Sequence, residues 1–343
     1  MRRVILSLAG LIVVLLAAGA LWINDFLDQP LAIPPDGYVL DVRSGTAWSA
    51  LAAQVGTAGL TTHPQVLRAY GRLAGHAGRI RAGEFLLAPG TTPAQLLQQL
   101  VAGRVVLHKF TLVEGWSIQD IVRAVRAQPA LDQTLDDARA GELPAGLARQ
   151  LELAWPSAEG AFLPETYLFA RGTTDRELLS RAHQALVEQL DRSWTGRRAG
   201  LPIASPYELL VLASIIERET ALASERPVIA GVFIRRLQKG MRLQTDPTVI
   251  YGLGERFDGN LTRRDLDADS PWNTYTRTGL PPTPIAAPSA AAIEAAANPA
   301  DGDALFFVAT GAGDGSHHFS ATLKEHEAAV RDYLATLGRR NRN

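Results

Sequence analysis

The sequence predicts an α+β protein built as an N-terminal transmembrane helix, a small βααβ module and a larger α+β domain. Three observations predict this. A long apolar run opens the chain. Residues 38–90 then alternate strand, helix, helix, strand by their periodicity. Longer helical patterns, broken by polar loops and joined to short strands, fill the remainder. The divisions fall at 1–25 for the anchor, 26–37 for a linker, 38–105 for the module and 106–343 for the large domain.

The bulk numbers narrow the function classes. The chain has 343 residues, 47% hydrophobic and 20% charged, enough apolar material for a sizeable core. A net charge of −1 argues against general binding of polyanions, so no nucleic-acid partner is expected. The basic tail at Arg339, Arg340 and Arg342 reads as a solvated terminus. Cysteine is absent, which excludes disulfides, thiolate metal sites and a cysteine nucleophile.

Arg2 and Arg3 precede an apolar stretch from Val4 to Ile23, broken only by Ser7 and two glycines. About 20 such residues suffice to span a bilayer. The arginines favour the cytoplasmic side, which places the remainder outside. Trp22 stands where an interfacial aromatic belongs. Ala18-Gly19-Ala20 resembles a signal-peptide cleavage site, but the apolar run continues through Leu21, Trp22 and Ile23, and this length favours an anchor. Either reading exports the chain. In a bacterium the expected location is the inner membrane, single-pass, with the large domain in the periplasm.

Tyr38 to Arg43 alternates like a strand, and Ser44-Gly45-Thr46 makes a turn with Thr46 as the expected N-cap. Trp48, Leu51, Ala52 and Val55 follow at helical spacing. A second helix spans Pro64 to Leu73, and Arg81 to Leu87 is a strand. This order is similar to a LysM module, a small fold that grips N-acetylglucosamine-containing glycans; a plain structural platform shares the pattern. Thr92-Pro93 opens a helix, and Val105 to Val113 is a strand before Glu114-Gly115-Trp116-Ser117 and a helix from Ile118 to Val125. That strand, turn and helix echo Val42, Gly45 and Trp48. Residues 126–158 are expected to be helical and polar, and Arg176 to Leu190 forms an amphipathic helix.

Chemistry concentrates further on. Ser205 can cap a helix, Pro206 sits at its first position and Glu208 completes a capping box. Leu209 to Ile216 is apolar nearly all round, so this helix lies inside the fold and ends on Glu217-Arg218-Glu219. Desolvation at that end is expected to raise the pKa of Glu217, making it a proton donor. Glu217 and Glu219 stand about 200° apart on a helix wheel, so both cannot face one cleft unless the helix has ended. The other carboxyl is then expected in a structural link to Arg218 or Arg226. Two polar segments accompany it: Gln244-Thr245-Asp246-Pro247, and a loop from Asn273-Thr274-Tyr275 to Pro288 whose hydroxyls, amide and aromatic ring suit sugar recognition. Ser289 to Ala297 is an alanine-rich helix, and Ala304 to Thr310 a strand. The Gly311–His318 turn lacks the lysine and hydroxyl of a phosphate loop. His317, His318 and His326 lack a recognised zinc spacing, so neither metal nor cofactor is expected.

Several long motifs, in order, resemble the YceG-like family of endolytic murein transglycosylases. They are Leu212-Ala213-Ser214-Ile215-Ile216-Glu217-Arg218-Glu219-Thr220, the run from Arg242 to Gly252, Asn273-Thr274-Tyr275 with Gly279-Leu280-Pro281-Pro282, Phe162-Leu163-Pro164-Glu165-Thr166-Tyr167, and His318-Phe319-Ser320. The family pattern has Asp where Glu165 stands, a mild departure, and Gly-Ser-His-His is irregular. The resemblance implies lytic cleavage of the β-1,4 bond between N-acetylmuramic acid and N-acetylglucosamine, leaving 1,6-anhydro ends and terminating nascent strands. Hydrolytic glycosidases use two carboxyls; a lytic enzyme uses the sugar's own C6 hydroxyl, so one suffices. Glu217 matches the family's catalytic glutamate, and Glu219 is expected to support the fold. Gln244, Thr245, Asp246, Tyr251, Asn273 and Tyr275 are expected to contact glycan or orient Glu217. The partners implied are peptidoglycan glycan strands and synthases of the elongation or division machinery. Two alternatives stay open: a non-catalytic wall-binding scaffold, and a hydrolytic muramidase with Asp246 as second carboxylate.

Overall fold

A computed structural model describes residues 2–137 and 142–340. Residues 138–141, part of the expected helical stretch, and Asn341 and Arg342 of the basic tail lie outside the described residues. The chain is mixed α and β, and it divides into two compact units.

The smaller unit comprises residues 1–109 with 130–132 and 168–173. It begins with α1 (Arg2–Asp28). Within it, Gly10–Asp28 has a mean hydropathy of 2.0, long and apolar enough to cross a membrane. Its apolar side chains from Leu11 to Leu16 are exposed, as they are on a helix whose solvent is lipid. Phe26 and Leu31 turn instead into the core of the unit.

That core lies under an antiparallel pair, β1 (Tyr38–Val42) and β2 (Gly83–Leu87), in register from Tyr38↔Leu87 to Val42↔Gly83. Leu40, Val42, Phe85 and Leu87 alternate inward and are buried, the period of two that a one-sided sheet requires. Between the strands run α2 (Trp48–Thr57) and α3 (Pro64–Leu73). Gly71 lets α3 approach α2, since a Cβ there would stand 2.3 Å from the Trp48 ring. The helix cap differs from the sequence reading: Ala47, not Thr46, is the N-cap of α2, and no side chain caps it. α4 (Pro93–Ala102) has the full reciprocal box of Thr92 and Gln95 and ends on Gly103 at φ 68°, a left-handed position glycine takes without strain.

β3 (Leu107–Thr111) pairs with β5 (Thr166–Ala170), and the two-residue strands β4 (Leu131–Asp132) and β6 (Thr173–Thr174) pair likewise. The echo seen in the sequence has a backbone basis: Gly45 and Gly115 both turn at positive φ, 77° and 75°. α5 (Ile118–Arg126) follows the second turn, with Ser117 and Asp120 as its capping box. Residues 126–158 are not a helical stretch; among the described residues between Arg126 and Ala158 only α6 (Leu143–Gln150) is an α-helix. Pro129, Pro144 and Pro156 punctuate this segment, and each removes a backbone donor a longer helix needs.

The larger unit is mainly helical. α7 (Asp175–Thr195), α8 (Pro206–Glu219), α9 (Arg226–Gln238) and α12 (Ala290–Ala297) share one apolar core. α8 is central, with every residue from Leu209 to Ile216 buried, which explains its lack of a polar face. The small side chains of α12 allow close packing on α8. Ser205 caps α8 as expected, but Glu208 reaches the Ala204 N–H at 2.7 Å, so the reciprocal box is not formed. α10 (Asp246–Leu253) and α11 (Arg263–Asp267) flank the polar loops. The hairpin β7 (Phe306–Ala309) and β8 (His317–Ser320) carries α13 (Leu323–Arg340) against it.

Candidate active site

α8 ends on Glu219, and Thr220 is already extended at ψ 138°. This end decides the geometry. Glu217 and Glu219 both line one open cleft of about 790 Å³ in the larger unit, with Glu114, Glu165 and Arg226 among its other residues. The helix-wheel separation therefore does not keep one glutamate out of the cleft, because the chain leaves helical geometry directly after Glu219.

The two carboxyls meet different surroundings. Glu217 is 5% exposed at its side chain and pairs with Arg226, Nη2 to Oε1 at 3.3 Å. Arg226 also lies 3.7 Å from the Glu114 carboxylate. The other oxygen of Glu217 accepts from the Ser289 N–H at 2.9 Å and the Ser289 hydroxyl at 2.5 Å. Ser289 is the N-cap of α12. Glu217 thus stands at a helix N-terminus, where free N–H groups favour negative charge. Arg226, foreseen as a partner for the structural carboxyl, pairs with Glu217 instead.

Glu219 accepts from the Thr245 hydroxyl. Burial pushes its pKa up to about 7, against the opposing effect of the Thr245 hydrogen bond. The nearby Asp246 carboxylate acts in the same direction as burial. The buried Arg236 guanidinium lies in the same surroundings, donating to the backbone carbonyls of Leu305 and Leu243 at 2.6 and 2.8 Å.

The sequence-predicted polar residues fall into three places. Gln244, Thr245, Asp246 and Tyr275 gather on the Glu219 side. Gln244 takes a left-handed φ of 52°, a strained position for a residue with a Cβ. Its N–H donates to Thr274 O at 3.1 Å. Tyr275 donates its hydroxyl to Asp246 at 2.6 Å. Asp246 is not among the cleft-lining residues, whose carboxyls besides Glu217 are Glu114, Glu165 and Glu219. Asn273 is 1% exposed; its amide donates to Leu266 O and Ala268 O at 3.0 and 2.7 Å, and its oxygen accepts from the Tyr275 N–H. It pins the loop and has no surface left for a sugar. Tyr251 belongs elsewhere, beside the buried Glu159 and edge-on to Trp272. Among the described residues, the hydrogen-bond partners of Glu217 are Arg226 and Ser289, so none of the six orients it.

Glu159 escaped the sequence reading. It is fully buried and accepts from the Ile118 N–H at 3.1 Å, at the start of α5. Burial pushes its pKa up to about 7. A signal existed: Ala158, Ala161 and Phe162 are all apolar and buried around it, the same context that drew attention to Glu217. Ser289 was legible as a cap but not as a partner. Among the described residues no group of three His, Asp or Glu is placed to hold a metal ion. His317 is instead bonded to Glu225 at 2.7 Å.

Residues 40–332 match the YceG-like family. The chain is 30% identical over 311 residues to a Bacillus subtilis protein named endolytic murein transglycosylase, covering 87% of this chain and 85% of that one. A Streptococcus pneumoniae protein of the same name is 26% identical over 366 residues, and the match spans 97% of this chain and 65% of that longer relative. A crystal structure of a YceG-like protein from Listeria monocytogenes superposes with a TM-score of 0.52 at 29% identity, over 86% of this chain and 99% of that one. By a match over most of its length, the chain belongs to the YceG-like family.

Proposed function

We propose that this chain is a membrane-anchored lytic transglycosylase that cuts peptidoglycan glycan strands internally. The bond cut is the β-1,4 link between N-acetylmuramic acid and N-acetylglucosamine, and the product carries a 1,6-anhydro end. Family membership and the names of the Bacillus and Streptococcus relatives support the activity. The observation that carries the reading is the position of Glu217, on the wall of an open cleft at the end of a buried helix.

In this mechanism Glu217 gives a proton to the glycosidic oxygen as its bond to C1 of the muramoyl sugar breaks. The carboxylate so formed takes the C6 hydroxyl proton while O6 closes on C1. No water is consumed, and one carboxyl serves twice. Ser289 and Arg226 hold it in place. Residues 1–25 are the anchor, 26–37 a linker, 38–105 a LysM-like glycan-binding module and 106–343 the catalytic domain. The β1–α2–α3–β2 order supports the module. The catalytic domain works in the periplasm, beside synthases whose nascent strands it shortens.

Glu217→Gln slows the release of anhydro ends from purified sacculi by about 10²–10⁴, read by mass spectrometry, with circular dichroism unchanged. Release at the wild-type rate would overturn the reading. One observation favours a second reading: Glu219, in the same cleft, has a pKa of about 7 and is protonated in part at neutral pH. If Glu219 is the acid, Glu219→Gln removes the activity instead. Ends one water heavier than anhydro ends point to hydrolysis by the carboxyl pair.

A further inference from the structure

The larger unit has a second cleft, of about 690 Å³. Gly115 and Arg218 line both clefts. Arg218 donates from Nη1 to the Gly115 carbonyl at 3.2 Å, so the two depressions meet at this one exposed contact. An extended polymer can run from one into the other.

The linings differ in kind. The carboxyl cleft has glutamates, threonines and arginine but no aromatic ring. The second has Trp272, Tyr251, Ile250 and Pro247, with Gln119 and Asp120 as polar neighbours. Its volume is in the range of about 300–1,000 Å³ usual for small-molecule sites, which are apolar with a few placed polar groups.

The aromatic floor is fixed from below. The Trp272 indole N–H donates to Thr283 Oγ1 at 3.0 Å. Tyr251 stands edge-on to that ring, at 5.5 Å and 65°. Tyr251 also lies beside the buried Glu159, which is itself held by the Ile118 N–H at 3.1 Å. Two separate segments, carrying Thr283 and Tyr251, thus set the ring orientation. Trp272 remains partly exposed. A ring already held in place loses little freedom on binding. Its face suits the C–H face of a pyranose, and the polar neighbours suit hydroxyl and acetamido groups. A peptide stem bearing carboxylates would instead need free cations. The two arginines of the lining, Arg123 and Arg218, are matched in charge by the carboxylates of Asp120 and Glu255, with Arg123 paired to Asp120 at 3.0 Å.

We propose that this second cleft binds the glycan strand beyond the sugars at the scissile bond, with Trp272 as the stacking platform. The proposal rests on the chain being a glycan-cutting enzyme. An enzyme that cuts inside a strand must hold sugars on both sides of the bond, and the second cleft is where the carboxyl cleft continues.

The test uses the full chain and peptide-free glycan oligosaccharides of increasing length. Wild type gains kcat/KM as the strand lengthens. Trp272→Ala loses that gain, roughly tenfold on the longest strands and mainly through KM, as removal of an aromatic anchor does. Trp272→Phe restores most of it, which separates lost stacking from misfolding. An equal proportional loss at every length overturns the proposal, as does a loss seen only with stem-bearing strands. If wild type cuts no strand at all, the enzymatic reading fails separately. Calorimetric binding of the same oligosaccharides then decides the cleft: tenfold weaker binding of the long ones by Trp272→Ala upholds it, and unchanged affinity overturns it.

Discussion

At the end of α8 the Glu217 carboxyl meets a guanidinium, a backbone N–H and a hydroxyl, whereas the Glu219 carboxyl, two residues on, bonds to the Thr245 hydroxyl. Helix α12 supplies the Ser289 donors to Glu217, and the Thr245 segment supplies the hydroxyl to Glu219. The same side chain on the same turn therefore receives different partners from elements far apart in sequence. Three donors collect on Glu217, and burial is the largest influence on Glu219, with Asp246 acting in the same direction.

The largest expected effect breaks this comparison at its catalytic end. Glu217→Gln lowers kcat/KM by about 10²–10⁴, the usual worth of a general acid. Glu219→Gln costs about tenfold, because it removes a neighbour rather than the acid. A reversed order, with an alkaline limb near pH 7 that Glu219→Gln abolishes, gives the proton to Glu219.

The ion pair comes next. Arg226 is 11% exposed and Glu217 5%. Arg226→Gln leaves a desolvated carboxylate without its cation, at a cost of about 3 kcal/mol in urea unfolding. Adding Glu217→Gln returns most of that loss. Full additivity of the two substitutions would show that the pair is not coupled.

Glu159 and Glu219 sharpen the contrast through pH. Both have folded pKa values near 7, raised from 4.5. The folded chain then keeps protons that the unfolded chain releases. Their contribution to stability is complete below about pH 4.5 and is lost as pH rises through 7. Glu159→Gln removes roughly 3 kcal/mol of that fall. Tm measured at pH 5 and pH 8 should differ less in the variant than in wild type. An unchanged difference would show that Glu159 carries no proton into the fold. The smallest effect is at Ser289: Ser289→Ala loses the cap of α12 and costs about 1 kcal/mol, seen as a lower urea midpoint.

Periodic elements were the legible part of the fold. Leu40 and Val42 on β1, and Leu51, Ala52 and Val55 on α2, announce their burial by spacing, and Leu209 to Ile216 by an unbroken apolar run, because a strand or helix repeats its inward positions regularly. The segment 126–158 misled, because its polar residues carry no period and its prolines outweigh helix propensity. Glu217 was legible as a desolvated carboxyl. Its partners were not, since Ser289 lies 72 residues away and only packing brings it near.

The sequence by itself determined an apolar opening helix, a strand–helix–helix–strand module and a buried helix ending on two carboxyls, because these follow from local pattern and side-chain chemistry. Only the tertiary structure decided that both carboxyls share one cleft, which of them receives Arg226, and that Asn273 is a loop pin. Those outcomes depend on where α8 stops and on which elements pack across its end, and no local pattern records contacts made at such separations in the chain.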